Sequence, residues 1–295
     1  MIKQFRDLLR LKEEAKHCAQ EAELVLSNYV KQNYLDLLEE YVSWFDQKRN
    51  INAAAITKII NAAVCDLEGR VFDENKKYLS FFAGATARMS DDLLDNGIVQ
   101  PEEAYLLHNT PVKKGKTLSL RLFYALDSGL ADLLPQDFSQ DFENVIQQFN
   151  QAQADSLRLL KGELTSQELI DIKNRTGGYS ALLLYSFLFP EFGDLSRDSV
   201  GNYNSSGNPP RTKTEALYNF GAWLSRVDDL WDKPYDKKKG MRQLATEGII
   251  TWRGLKPETE YTFRGLSLFY PHERVQVFRG RFKPLTSKVL AKLFY

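Results

Sequence analysis

Two aspartate-rich clusters of the same form lie far apart in this chain, each inside an apolar stretch with helical periodicity. The first reads Asp-Asp-Leu-Leu-Asp at 91–95, and the second reads Asp-Asp-Leu-Trp-Asp at 228–232. Residues four apart share one face of a helix, so Asp91 and Asp95 are predicted to project side by side. Like charges at this spacing destabilise a helix unless a cation compensates them. The pattern therefore predicts two helices whose carboxylates meet a cation.

The second cluster continues along its predicted helix, because a further aspartate follows at the same spacing and completes a stripe at i, i+4 and i+8. Acidic residues at helical spacing usually form a solvated face. The segments before the clusters, 81–90 and 216–227, are however rich in the small and aromatic residues of buried helices. Buried carboxylates are costly unless paired or metal-bound, and their hard oxygens suit Mg²⁺. The predicted metal ligands are Asp91, Asp95, Asp228, Asp232 and Asp236.

Composition indicates a globular protein and gives no bulk attraction to nucleic acid. Of the 295 residues, 43% are hydrophobic and 12% aromatic, and the formal net charge is zero. Cys18 and Cys65 lack metal-ligand spacing, which is typical of buried thiols in a reduced setting. The N-terminus is charged, unlike a signal peptide, and the longest apolar run, 179–189, is too short to span a bilayer. These features predict a soluble, cytoplasmic protein without a transmembrane segment.

Helical periodicity dominates the chain and strand signals are scarce. The interpretation is one all-α domain over 1–295, a bundle of about ten or more helices, with Gly97 just after the helix that bears the first cluster. Segment 256–295 is compatible with either strand or helix. Helices are predicted at 2–31, 34–48, 52–68, 74–96, 101–108, 116–133, 139–160, 166–189, 211–236 and 240–250.

The paired clusters resemble the acidic motifs of the class I isoprenoid synthase superfamily, which comprises trans-prenyltransferases, squalene and phytoene synthases and terpene cyclases. The resemblance implies a helical bundle around a central cavity, with Mg²⁺ as cofactor in about three ions that clamp a diphosphate. The second motif fits two subclasses, because 228–232 has the prenyltransferase form and the i, i+4, i+8 stripe has the cyclase spacing. The resemblance assigns catalytic roles in the first motif to Asp91, Asp92 and Asp95.

A third match lies between the two clusters, at 171–179, and resembles the diphosphate-binding helix of the superfamily. It implies that Arg175 binds the substrate diphosphate and acts in catalysis, and that Gly177-Gly178 breaks the helix. An arginine fork suits bidentate phosphate recognition. The basic segment after the second cluster would fold over the diphosphate with Lys239 and Arg242, or would be a solvated loop.

Departures from the superfamily pattern favour one subclass. Chain-elongating prenyltransferases carry an arginine pair soon after the first motif and a second diphosphate site, and this chain shows neither. We therefore expect a terpene synthase that converts one linear prenyl diphosphate into a cyclic or linear terpene. A trans-prenyltransferase, chain-elongating or head-to-head, and a non-catalytic partner subunit are the alternatives. The implied partners are the prenyl diphosphate and a second copy of the chain in a homodimer.

Substrate length is predicted from the small residues that precede the first cluster. Segment 83–87 contains no bulky side chain, which would leave a pocket deep enough for C15 to C20 chains, and longer ones if they fold, before Phe81 and Phe82 close it. The candidate wall residues, each of which also fits an ordinary core position, are Phe82, Thr86, Ala87, Tyr179, Tyr218 and Trp223.

Overall fold

The computed structural model of the protein describes residues 2–45, 48–100, 114–134, 140–156, 164–190, 209–239 and 243–286. These residues form ten α-helices and two short 3₁₀ helices, and no strand occurs among them. The all-α prediction is confirmed for this part of the chain. The helices are α1 (Ile2–Asn33), α2 (Leu38–Phe45), α3 (Lys48–Glu68), α4 (Glu74–Asp95), α5 (Leu118–Leu133), α6 (Gln140–Ser156), α7 (Ser166–Leu188), α8 (Lys213–Lys239), α9 (Leu255–Leu266) and α10 (His272–Phe282).

The chain divides into two compact units, Met1–Asp137 and Phe138–Tyr295. The first unit contains α1 to α5 and the second contains α6 to α10. The first aspartate cluster lies in the first unit and the second cluster in the second unit. A single domain around a central cavity stays a prediction.

Helix α4 carries the first cluster and packs between α3 and α5. It begins at an N-cap, where the Asp73 side chain accepts a hydrogen bond from the Lys76 backbone N–H at 2.9 Å. It ends at Asp95, and Gly97 just beyond this end takes a φ of +66°, which suits glycine at the predicted position after the helix. Gly84 lies so close to α3 that a Cβ there would stand 2.7 Å from the Cα of Ala54. Small residues before the first cluster thus allow close helix packing.

Helices α7 and α8 form the closest pair of the second unit. Thr165 and Glu168 make a capping box at the start of α7. The predicted helix break at Gly177-Gly178 is wrong, because α7 runs through both residues without interruption. These glycines instead admit α8: a Cβ on Gly221 would lie 2.2 Å from the Gly177 carbonyl oxygen. The glycine pair therefore serves helix packing.

Other differences from the predicted elements are local. Segment 256–295 was compatible with either strand or helix in the sequence. Its described part contains most of α9 and all of α10, and aromatic residues of these helices pack against α8. Of the helix predicted at 240–250, residues 243–250 form turns, and Gly248 takes a φ of +75°. The predicted helix at 101–108 lies outside the described residues. Within the described ranges, no helix has the length and apolar character needed to cross a membrane.

Candidate functional site

The first cluster occupies the last turn of α4, where the negative end of the helix dipole disfavours carboxylates. It contacts the cation Arg88, which lies one turn earlier on the same helix. The Arg88 Nη2 donates a hydrogen bond to Oδ1 of Asp92, and Nη1 lies 3.7 Å from Oδ2 of Asp91. The side chain of Arg88 is 11% exposed, whereas that of Asp91 is 37% exposed and Asp95 is open to solvent. Arg88 therefore offsets part of the negative charge of this cluster from the preceding helical turn.

Asp92 is anchored on both of its carboxylate oxygens. In addition to the arginine bond on Oδ1, its Oδ2 accepts a hydrogen bond from the Trp44 indole Nε1 at 3.0 Å. Asn50 closes the network, because it donates to the Trp44 carbonyl at 2.8 Å and accepts from the Arg88 Nε at 3.2 Å. Helices α2, α3 and α4 thus meet in one hydrogen-bonded network. Asp92 orients this network, while Asp91 and Asp95 face outward.

The second cluster lies in the second half of α8, and one of its aspartates is almost fully buried. Asp229 is 3% exposed, and its Oδ1 lies 2.9 Å from the Lys173 ammonium of α7. Its Oδ2 accepts a hydrogen bond from the Leu244 backbone N–H at 3.2 Å. Burial lowers the pKa of Lys173, but attraction to Asp229, then to Asp228 and Asp236, outweighs this effect and leaves the pKa raised. The ammonium is therefore charged at neutral pH.

The stripe along α8 concentrates negative charge beside this ion pair. Asp228 is accessible to solvent, Asp232 is half-buried and Asp236 is buried. Although Asp228 is accessible to solvent, the many protein atoms around its carboxyl reduce its hydration, and repulsion from Asp232 and Asp229 adds to this effect. Together they raise the pKa of Asp228 to about 7 although Lys173 opposes the shift. Lys173 thus offsets only part of the repulsion at Asp228, and a divalent cation would offset more of it.

Arg175, the predicted diphosphate ligand, faces a different helix from Lys173. Its Nη2 lies 2.7 Å from Oδ2 of Asp155 on α6, whereas Lys173 contacts α8. Residues two apart on a helix point in nearly opposite directions, and the two cations accordingly contact different helices. Lys239 ends α8, and its side chain and all of Arg242 lie outside the described parts of the structure.

The predicted wall residues of the first unit point to different sides of α4. Phe82 lines a cleft of about 330 Å³ together with Tyr29 and Gly129, between α1, α4 and α5. It precedes Asp91 by nine residues, which places it about 180° around the helix. Of the small residues, Ala87 is one turn before Asp91 and shares its face, while Thr86 is buried. The small stretch therefore does not form one wall beneath the aspartates.

The predicted wall residues of the second unit lie in two aromatic groups. Tyr179 and Tyr218 pack edge to face at 5.3 Å, and burial, followed by the charge of Tyr179, raises the pKa of Tyr218. Trp223 is fully buried, packs edge to face with Phe263 at 5.4 Å, and donates a hydrogen bond to Thr259. Trp223 thus belongs to the core between α8 and α9.

The sequence interpretation missed four residues of these networks. Arg88 was detectable, because it lies three and four residues before Asp91 and Asp92, the spacing of intrahelical ion pairs. Lys173 lies in the segment that was assigned to Arg175, and spacing alone cannot tell which of the two meets α8. Trp44 and Asn50 carry no local signal, because only the packing of α2 and α3 against α4 brings them to the cluster.

The carboxylates suit Mg²⁺ in chemistry and charge, without forming a complete cage. Among the residues that the structure describes, no group of three or more His, Cys, Asp or Glu side chains is arranged to hold a metal ion. Mg²⁺ commonly uses one or two carboxylates, with water and substrate phosphates completing its octahedron. The crowded charge around Asp228 and the outward pair Asp91 and Asp95 therefore fit such an ion.

No family model, curated protein or solved structure matches this chain.

Proposed function

We propose that the chain is a Mg²⁺-dependent class I terpene synthase. It would ionise a linear prenyl diphosphate and release diphosphate with a cyclic or linear terpene. The observation that carries the proposal is the crowding of aspartates on α8, where Asp228, Asp232 and Asp236 lie beside the buried pair of Asp229 and Lys173. Limited hydration and the repulsion of neighbouring aspartates raise the pKa of Asp228 to about 7 even with Lys173 nearby. Binding a divalent cation would relieve this repulsion and so supply the first requirement of the reaction.

The stripe of α8 would hold the metal in the second unit through Asp228, Asp232 and Asp236. When bound, Mg²⁺ supplies Lewis-acid stabilisation of the departing diphosphate. Lys173 pairs with Asp229 at 2.9 Å and fixes its orientation, so that this carboxylate supports the stripe from the α7 side. Arg175 would exchange Asp155 for a phosphate oxygen, because its planar fork fits either anion.

The aromatic pair beside Arg175 would serve the carbon skeleton of the substrate. Burial raises the pKa of Tyr218 although the Arg175 charge opposes the shift, and the hydroxyl stays neutral at physiological pH. The half-buried Tyr179 would present its ring to the carbon skeleton, while the buried Tyr218 supports that ring edge to face. In the first unit, Asp91 and Asp95 would bind metal while Asp92 holds them in place.

Turnover of prenyl diphosphates by the purified full-length chain tests the proposal. C10 to C25 diphosphates are incubated with Mg²⁺ or with a chelator, and hydrocarbon products and free diphosphate are measured. We expect metal-dependent turnover, and Asp228→Asn should lower it about 100-fold or more because a ligand charge is lost. The matched control is Glu23→Gln, which removes an exposed carboxylate on α1 and should leave turnover unchanged.

Other outcomes separate the alternatives. A requirement for isopentenyl diphosphate with a longer diphosphate as product would contradict the lyase and indicate a trans-prenyltransferase. Turnover that is insensitive to chelator, or equal in Asp228→Asn and the parent chain, would refute the metal assignment.

A non-catalytic partner subunit is the second candidate, and the first cluster favours it. Arg88 and Trp44 already engage both oxygens of Asp92, so one of the three predicted catalytic carboxylates is committed to the fold. Such a chain would show no turnover alone and would raise the activity of a second synthase chain when mixed with it.

A further inference from the structure

Arg88 is the centre of a network that closes on itself beneath the first cluster. Its Nη2 is bound to Asp92 and its Nε to Asn50, so two edges of the guanidinium are anchored. The remaining Nη1 lies 3.7 Å from Asp91, which is an ion pair longer than a hydrogen bond. The guanidinium is thus tied on the protein side, and its third nitrogen faces the carboxylate that is predicted to bind metal.

This geometry gives Arg88 two opposing effects. As a cation beside Asp91, it offsets negative charge and weakens the attraction of the cluster for a divalent cation. As a planar donor with one nitrogen directed at the cluster, it also suits a phosphate oxygen that arrives there. The effect on the metal is therefore greatest when no anion is present, and diminishes when an anion accepts the Nη1 hydrogen bond.

We propose that Arg88 couples the two ligands of the first cluster, because it competes with the divalent cation for Asp91 until a diphosphate-class anion accepts its Nη1. Metal then binds weakly alone and more tightly with the anion. The inference rests on the proposed function, since it assumes that this cluster meets metal and diphosphate. Arg88 acts through Asp91 and is therefore a positioning residue.

The experiment measures Mn²⁺ binding to the full-length chain by electron paramagnetic resonance, with and without inorganic diphosphate. Asp228→Asn and Asp232→Asn are introduced together as a background, so that the signal reports the first cluster. Arg88→Gln is compared with Arg88→Lys, which keeps the charge without the fork. Lys76→Gln is the matched control, because it removes a cation from the same helix near its start, where Lys76 pairs with Asp73.

The expected result has two parts. Without diphosphate, Arg88→Gln should bind Mn²⁺ about tenfold more tightly than the background, a change typical of coupled sites. Diphosphate should then strengthen Mn²⁺ binding less in Arg88→Gln than in the background, with Arg88→Lys between them and Lys76→Gln unchanged. Comparing variants cancels the binding of Mn²⁺ to diphosphate in solution.

The proposal would be overturned if diphosphate strengthened Mn²⁺ binding equally in Arg88→Gln and in the background. It would also be overturned if Arg88→Gln bound Mn²⁺ no more tightly than the background without diphosphate. If Arg88 served only the fold, Arg88→Gln would lower the melting temperature. The Mn²⁺ affinities measured below that temperature would then stay unchanged. Circular dichroism identifies a variant that fails to fold, and Arg88→Lys then supplies the comparison. Turnover is read separately: catalysis without coupling refutes only this inference, and coupling without catalysis refutes only the terpene synthase.

Discussion

The two aspartate clusters share a sequence pattern and one internal arrangement, but they differ in where their cation comes from. In each, the second aspartate binds a cation through one oxygen and an N–H group through the other. Asp92 pairs with Arg88 of its own helix, whereas Asp229 pairs with Lys173 of the neighbouring helix. A cation on the same helix is set by local spacing, and a cation from another helix depends on how the two helices pack.

The clusters also differ in burial, and this decides how strongly charge acts in each. The side chain of Asp92 is 18% exposed, while that of Asp229 is 3% exposed. Water screens the first pair more than the second, so the same motif is electrostatically mild on α4 and strong on α8. In the second cluster, reduced hydration and the repulsion of Asp232 and Asp229 also raise the pKa of Asp228.

The sharpest test of the comparison is loss of the cation in each cluster. Lys173→Met should lower the free energy of unfolding by about 3–5 kcal/mol, because it leaves a buried carboxylate without its counter-ion. Arg88→Met should cost about 2 kcal/mol, since Asp92 keeps the Trp44 hydrogen bond and some water. Urea unfolding followed by circular dichroism measures both values.

Lys76→Met is the control for both variants, because its pair with the half-exposed Asp73 should contribute less than about 1 kcal/mol. If Lys173→Met were no more destabilising than this control, the difference in burial between the clusters would have no energetic meaning.

Close helix packing supports both clusters and can be tested through glycine. Gly221→Ala should cost about 1–3 kcal/mol, because its Cβ would lie 2.2 Å from the Gly177 carbonyl oxygen and force α7 and α8 apart. Gly84→Ala should act similarly between α3 and α4. Thermal unfolding provides the measurement.

Gly280→Ala is the matched control on α10, because no atom lies within 4 Å of its added Cβ. This variant should raise stability by about 0.5–1 kcal/mol through helix propensity alone. A loss of stability at Gly280 equal to that at Gly221 would remove the packing explanation.

The smallest effect concerns pH. The folded pKa of Asp228 is raised above its unfolded value, so the folded state binds the proton more tightly and its stability falls as pH rises from about 4 to about 7. Without divalent cations, Asp228→Asn should therefore stabilise the protein at pH 8 by about 1 kcal/mol, a value kept small by solvent at this carboxyl. Unfolding in chelator from pH 5 to pH 8 gives the slope.

Asp95→Asn, at an exposed position of the first cluster, should change stability by less than about 0.5 kcal/mol over the same range. An equal pH slope for Asp95→Asn and Asp228→Asn would mean that the two clusters do not differ.

The sequence by itself determined the helices that carry both clusters. Apolar residues at helical spacing and the Gly97 that follows them are local signals, and they placed the end of α4 within one residue of its observed position. The same helical spacing puts Asp91 and Asp95 on one face. It also places Arg88 within reach of Asp91 and Asp92, because neighbours on a helix follow from its 3.6-residue turn.

Only the tertiary structure decided which groups complete each cluster. Trp44 reaches Asp92 from α2, and Lys173 rather than Arg175 meets α8, because these partners depend on the rotation of one helix against another. The Gly177-Gly178 pair reads locally as a break, yet the approach of Gly221 makes it a packing surface inside a continuous helix. The spacing of residues along one helix is encoded within a few residues, whereas the faces that two helices turn toward each other depend on side chains distant in sequence. The interhelical charge partners of the clusters could therefore not be predicted from local pattern alone.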